Sequence, residues 1–288
     1  MNEKIIAYKA MDKNMQCRGK QYEVGKTYHE DKADCCHAGM HACENPLDVL
    51  HYYPLRDSSR FFEVECGGNV DKSREDSKLA CTELTVKGEV NFAGLVKATV
   101  NAVFNRVKGK EPFSSGDYST AGSSGDSSTA GSSGKYSTAG SSGYSSTAGS
   151  SGNYSTAGSS GNYSTAGSSG KYSTAGSSGY SSTAGSSGNY STAGSSGNYS
   201  TAGSSGKYST AAATGGYCSA KADGKDSIAV VNGACGKACG ALGCYLVLTE
   251  YDDDGHMICA KMARVNGSAI KENVYYTLKN GEFVEAEP

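Results

Sequence analysis

The residues best equipped for chemistry lie in one short stretch, where Cys36, His41 and Cys43 follow one another as C-x4-H-x-C, with Cys17 upstream and His29, Cys35 and His37 close by. Thiolates and imidazoles are ligands that zinc favours, and a structural zinc takes four. Cys17, Cys36, His41 and Cys43 therefore form the candidate ligand set, and a structural zinc ion is the one cofactor the sequence suggests. The spacing matches no standard zinc finger, so small buried thiols beside a structural histidine are the plainer reading, and a reactive thiol is a third. His41 has a second use. It precedes Glu44-Asn45-Pro46, a helix start, and with Tyr8 and Tyr52 it is suited to line a cleft for a nucleotide or other anion. No glycine-rich phosphate loop, nucleophile elbow or paired-histidine protease motif accompanies it.

Other reactive side chains read more simply as structure. Cys235, Cys239 and Cys244 fall where a repeat decays and suit the end of a narrow core. The run Asp252-Asp253-Asp254 fits no EF-hand loop and reads as a solvated turn. Asn153, Asn162, Asn189 and Asn198 open Asn-Tyr-Ser sequons that the repeat itself generates.

These side chains need elements to position them, and the first 113 residues have ordinary globular composition. Strands are predicted at Lys4 to Tyr8, Gln21 to Tyr28, Arg60 to Cys66 and Leu79 to Val86, and a short helix from the Asn45-Pro46 start through His51. Phe92, Leu95, Val96, Val100, Val103 and Phe104 recur at helical spacing and predict a second helix over Val90 to Val107. The result is an α+β head domain.

Charge and hydropathy narrow the partners. With 27 basic and 29 acidic residues the net charge is -2, so nothing marks a nucleic-acid or anionic-membrane surface. No apolar run approaches the ~20 residues that span a bilayer, and MNEKIIAYKAMDKN lacks a signal-peptide core, so a cytoplasmic location is expected. Eleven cysteines without regular pairing then point to reduced thiols.

From Asp117 the pattern becomes x-Tyr-Ser-Thr-Ala-Gly-Ser-Ser-Gly, a composition that by itself would suit a flexible linker. The degenerate units KYSTAAATG, GYCSAKADG, KDSIAVVNG and ACGKACGAL keep the frame while their residues change, which a linker has no reason to do. Position 5 is always alanine and positions 3 and 7 are always small, whereas positions 4 and 6 admit Ile228, Lys237 and Lys221. Small-in, variable-out alternation is a strand, and the polar-Gly pair at positions 8 and 9 is a corner. An 18-residue coil of two units stacks Tyr118, Tyr136, Tyr154, Tyr172, Tyr190 and Tyr208 in one column, which a 27-residue coil would not. The opposite edge is broken by Ser127, Ser145 and Ser181. Fourteen units then make about seven coils, roughly 34 Å at ~4.8 Å each. Outward threonines resemble the hydroxyl arrays of ice-binding solenoids, although glycine stands where a second threonine column would be.

The fold class expected is mainly β: a parallel β-solenoid of nonapeptide repeats, two per coil, over residues 114–242. An α+β head precedes it at 1–113, and a small β-hairpin cap follows at 243–288. AYKAMDKNMQCRGKQYEVGKTY, GMHACENPLDVLHYY and RFFEVE in the head resemble an uncharacterised family common in bacteriophage and prophage proteins. The tail GALGCYLVLTEYDDDGH with YYTLKNGEFVE resembles members of the same group. The resemblance implies a phage or mobile-element origin and supplies no catalytic residues. Residues 135–170 and 171–206 are identical, so the array grew by duplication and its copy number is adjustable. Adjustable length suits a spacer, multivalent surface or self-assembly module better than a catalytic frame. The expected function is therefore a non-enzymatic structural or binding protein, homo-oligomeric through the solenoid face, with the six-tyrosine column as working surface. Enzymatic or anion-binding activity in the head is the alternative.

Overall fold

Two nine-residue units form each coil. Thr138-Ala139-Gly140-Ser141-Ser142 lies parallel and in register with Thr156 to Ser160, and Thr129 to Ser132 with Thr147 to Ser150, so strands within the repeat array find their partners 18 residues on. Odd units build one parallel sheet and even units the other, giving about seven turns over residues 120–247. The protein is represented by a computed structural model that describes residues 4–53, 59–73, 77–107 and 113–287, without the side chains of 104–107 and 113. Phe104 thus lies outside the described side chains. Two compact units result, Met1–Leu95 and Val96–Pro288. No helix among the described residues is long and apolar enough to cross a membrane.

Inside the coils the alanines at position 5 are buried without exception, from Ala121 to Ala238. Alanine buries little apolar area, so the interior depends on satisfying its serines. Ser128 and Ser141 hydroxyls meet at 2.7 Å, as do Ser146 and Ser159, and Ser155 donates to Ser150 at 3.0 Å. The Ser137 hydroxyl also donates to Gly134 O at 2.6 Å. Ser186, Ser200 and Ser204 interrupt the pattern, since their buried hydroxyls have no partner among the described residues.

The corners explain the glycine that holds position 9 in every unit but the last, where Leu242 stands. A Cβ on Gly170 would meet the carbonyl of Gly152, one coil back, at less than 3.0 Å. Position 6 differs, because Gly158 faces open space and its column continues as Ala212 and Val230 one sheet position at a time. In the other sheet a Cβ on Gly149 would come within 3.2 Å of Val103, on the helix Phe92–Val107. Thr147, Thr165, Thr183 and Thr201 on that sheet are buried, whereas Thr138, Thr156, Thr174 and Thr192 on its counterpart are exposed.

The last coils widen into a conventional core. Tyr245–Tyr251 continues the odd-unit sheet through Ile228↔Tyr245 and then pairs antiparallel with Met257–Arg264. Tyr276–Lys279 caps the even-unit sheet by pairing antiparallel at Ala238↔Tyr276, and its hairpin returns as Glu282–Glu285. Leu246, Leu248, Val265, Ile270, Tyr276 and Leu278 fill the space below. These hairpins replace the open pairing edges that a stacked ladder would expose.

In the head, β1 (Ile5–Met11), β2 (Gln16–Cys17), β3 (Lys20–Gln21), β4 (Thr27–His29), β5 (Met40–Cys43), β6 (Arg60–Lys72) and β7 (Lys78–Val90) precede the helix. The sheet runs β4-β7-β5-β1-β6, and β6 also pairs with β7, so it closes on itself around Ala7, Met11, Phe62, Val64, Leu79 and Leu84. The expected strand over Gln21 to Tyr28 is a correction: Glu23 to Lys26 form a turn, and only Thr27–His29 pairs with β7. The expected short helix is a 3-10 turn, Pro46–His51, and Asn45 bonds the Asp48 carboxylate at 3.0 Å instead of capping the helix backbone.

The two glycine environments predict opposite mutational effects. Gly170→Ala should destabilise the solenoid by about 2 to 3 kcal/mol through overpacking. Gly158→Ala should be neutral or stabilising by up to about 1 kcal/mol. Urea denaturation of the two variants checks both signs.

Candidate functional site

Each ladder tyrosine sits at position 2, immediately after the corner glycine and the position-1 residue, not in a strand. Its backbone is left-handed there, with φ of 59° at Tyr118 and 55–57° at Tyr136, Tyr154, Tyr172, Tyr190 and Tyr208. The corner is tied rung to rung. Tyr136 N–H donates to Asn153 O at 3.1 Å, and Asn153 Oδ1 accepts from Lys171 N–H at 2.9 Å. Asp117 and Asn189 repeat that side-chain bond to Lys135 and Lys207, so an Asn or Asp on one rung tethers the backbone of the lysine on the next. The six rings stack with centroids 4.9–5.1 Å apart and interplanar angles of 5–19°. The five after Tyr118 remain 46–53% exposed.

The opposite edge is less bare than its serines suggest. Tyr144 and Tyr180, at position 1, lean onto Tyr163 and Tyr199 with centroids 5.5 and 5.3 Å apart, and Tyr199 stacks on Tyr217 at 5.2 Å. Position 1 thus supplies a ring beside Ser145 and Ser181, whereas Asp126 precedes Ser127. Only the first edge forms an unbroken parallel stack.

A second concentration of functional groups lies in the head. β1 and β5 pair at a single position, Tyr8↔Cys43, and the seam beside it opens into a cavity of about 190 Å³. Lys9 bridges the seam by donating to His41 O at 2.8 Å. Tyr8, Tyr22, Tyr52 and Tyr53 supply aromatic walls, while among the described residues Lys9, Arg18, Lys20 and Lys78 bring four cations against one carboxylate, Glu30. Tyr8, His41 and Tyr52 are therefore brought together, as the anion-cleft reading expects, and the cations are what that reading lacked. Lys9 was nevertheless visible: in IIAYKAM it occupies the same strand face as Ala7 and Met11, an inward position that is a poor place for an ammonium.

His41 is held in the neutral form. Burial lowers its pKa to about 4, reinforced by the charges of Lys78, Lys9 and Arg18. Its Nε2 accepts from Cys36 N–H at 3.0 Å. Tyr8 moves the other way, up to about 12, through burial and the Glu63 carboxylate.

Cys17, Cys36, His41 and Cys43 do not converge into one coordination sphere, since their ligand atoms do not gather within 4.8 Å of one another. Cys17 Sγ lies 3.0 Å from the Tyr53 hydroxyl, Cys36 Sγ accepts from Lys78 at 3.1 Å, and the His41 nitrogen is occupied as described. Neighbours in sequence have been separated by the turn at Cys36, whose φ is 75°. Among the described residues the group that does gather is Asp252, Asp254 and His256, on an exposed turn where the Asp252 carboxylate accepts from the Asp254 and His256 N–H groups.

Residues 5–98 match the model of a domain of unknown function, DUF7666. Every residue lining the head cavity falls within that DUF7666 region, and the repeat array lies outside it. No curated protein and no solved structure matches the chain.

Neutral His41 has a measurable consequence. Its pKa is lowered from 6.5 to about 4, so between those values the unfolded chain binds more protons than the folded one. Its contribution to stability is complete above pH 6.5 and is lost as pH falls toward 4. An NMR titration of the imidazole should show no protonation at pH 5.5. His41→Gln should flatten the stability slope across that window.

Proposed function

We propose that the protein is a non-enzymatic structural protein whose solenoid is a length-adjustable spacer and whose tyrosine ladder associates laterally with a second copy of the chain. The observation that carries this is the pairing of six stacked, exposed rings with a strained backbone. A non-glycine residue in the left-handed region costs about 1 to 2 kcal/mol. Ring stacking contributes about 0.5 to 1.5 kcal/mol per pair. The two nearly cancel, so tyrosine here adds little to the stability of the coil. Glycine or asparagine would fit the same backbone with less strain. Strand propensity is no explanation either, because the residue is in a corner. Contact with something outside the coil is the remaining use of an exposed aromatic stripe.

A partner that engages every rung must share the ladder's repeat of about 4.8 Å. A second solenoid of this chain has it. An offset of one coil would set Lys135 and Lys171 beside asparagine or aspartate of the facing copy and not beside its lysines. Phage or mobile-element origin belongs to the same proposal and rests on the head and tail motifs.

Replacing Tyr136, Tyr154, Tyr172 and Tyr190 with serine leaves the interior untouched. Sedimentation velocity should show concentration-dependent association of the wild type and a monomeric variant, with both retaining a cooperative β-rich melt. A wild type that stays monomeric at high concentration, or a variant that associates equally, contradicts the proposal.

A further inference from the structure

We infer that the head cavity is a binding site for a small ring-bearing phosphomonoester, with Lys9 at its floor and Arg18 at its rim as partners of the anion. The inference is independent of the solenoid's role. It starts from Lys9, which is only 5% exposed. Its ammonium donates to one carbonyl, His41 O, and lies 5.2 Å from the centre of the Tyr22 ring. Among the described residues it has no carboxylate partner. Proteins seldom bury an ammonium without a counter-charge, because removing it from water is costly and one carbonyl does not replace an anion. Two further donor positions on the nitrogen are available to a ligand.

Arg18 supplies the second charge. It stands at the tip of the β2–β3 hairpin with a left-handed φ of 51°, lines the same cavity, and has no ion pair among the described residues. Lys20, by contrast, is already paired with Glu30. His41, in the same lining, stays neutral and adds no charge of its own, because burial lowers its pKa and the charges of Lys78, Lys9 and Arg18 lower it further. Two cations from separate elements line one cavity, where Glu30 is paired with Lys20 and is the one lining carboxylate among the described residues, and they match a phosphate dianion better than a monoanion. The aromatic walls match a flat ring beside it. A space of about 190 Å³ admits one ring and one anionic head and is too small for a dinucleotide.

The probe is phenyl phosphate, titrated calorimetrically into the full-length protein, with benzoate and inorganic phosphate as comparisons. Saturable binding is expected with phenyl phosphate at least about tenfold tighter than either comparison, weakening as salt is raised. Arg18→Gln, on an exposed tip that the fold does not need, should weaken binding about tenfold or more. Lys9→Met should abolish binding and raise the melting temperature, because it removes a buried charge that only the ligand neutralises. Absence of saturable binding at millimolar phenyl phosphate, or benzoate binding equally well, overturns the assignment. So does an Arg18→Gln protein that binds normally together with a Lys9→Met protein that melts lower, which would make the ammonium a purely structural group.

Discussion

The backbone ladder between successive coils is the interaction on which the rest of the solenoid depends. Its interior is alanine and serine, which bury too little apolar surface to hold a chain by themselves. What they do permit is close approach of two sheets whose strands repeat every 18 residues in strict register. That register imposes everything else: glycine where one corner passes over the next, a small residue at each inward site, and hydroxyls spaced to meet across the lumen. Because each coil touches only its neighbours, length can change by whole coils without altering local chemistry. The apolar residues of the C-terminal hairpins then close an end that alanine could not.

Much of this was legible in the sequence, and for physical reasons. A strand buries every second residue, so the unfailing alanine at position 5 and the small residues at 3 and 7 reveal the inward face. The tyrosine column fixes two units per coil because aromatic rings on a parallel ladder stack only in one register. The left-handed corner was not legible, since tyrosine at that position reads as the start of a strand. Nor was the difference between the faces. Thr147 and Thr156 have the same neighbours in sequence, yet one is buried and the other exposed. Only tertiary placement, with Val103 against Gly149 on one sheet, distinguishes them.

The head shows the opposite balance. Cysteine and histidine spacing suggested a ligand cluster, but spacing in a loop carries little information about convergence, and the turn at Cys36 sends the thiols to different partners. The cavity arises from a topological feature that no local motif encodes, the single-residue pairing of β1 with β5. His41, Tyr8 and Tyr52 were identifiable as residue types suited to an anion, whereas Lys9 and Arg18 gain their meaning from the closed sheet and the hairpin tip beside it.

The claim that rung-to-rung hydrogen bonding organises the array is most directly tested by amide hydrogen exchange across residues 120–247. Strand amides of the Ser/Ala/Gly units should be protected by orders of magnitude, with protection continuous from coil to coil and weakest at the array's ends. Complete exchange of these amides at unfolded-chain rates, while the head domain stays protected, would show that the repeats are a linker and would contradict the account.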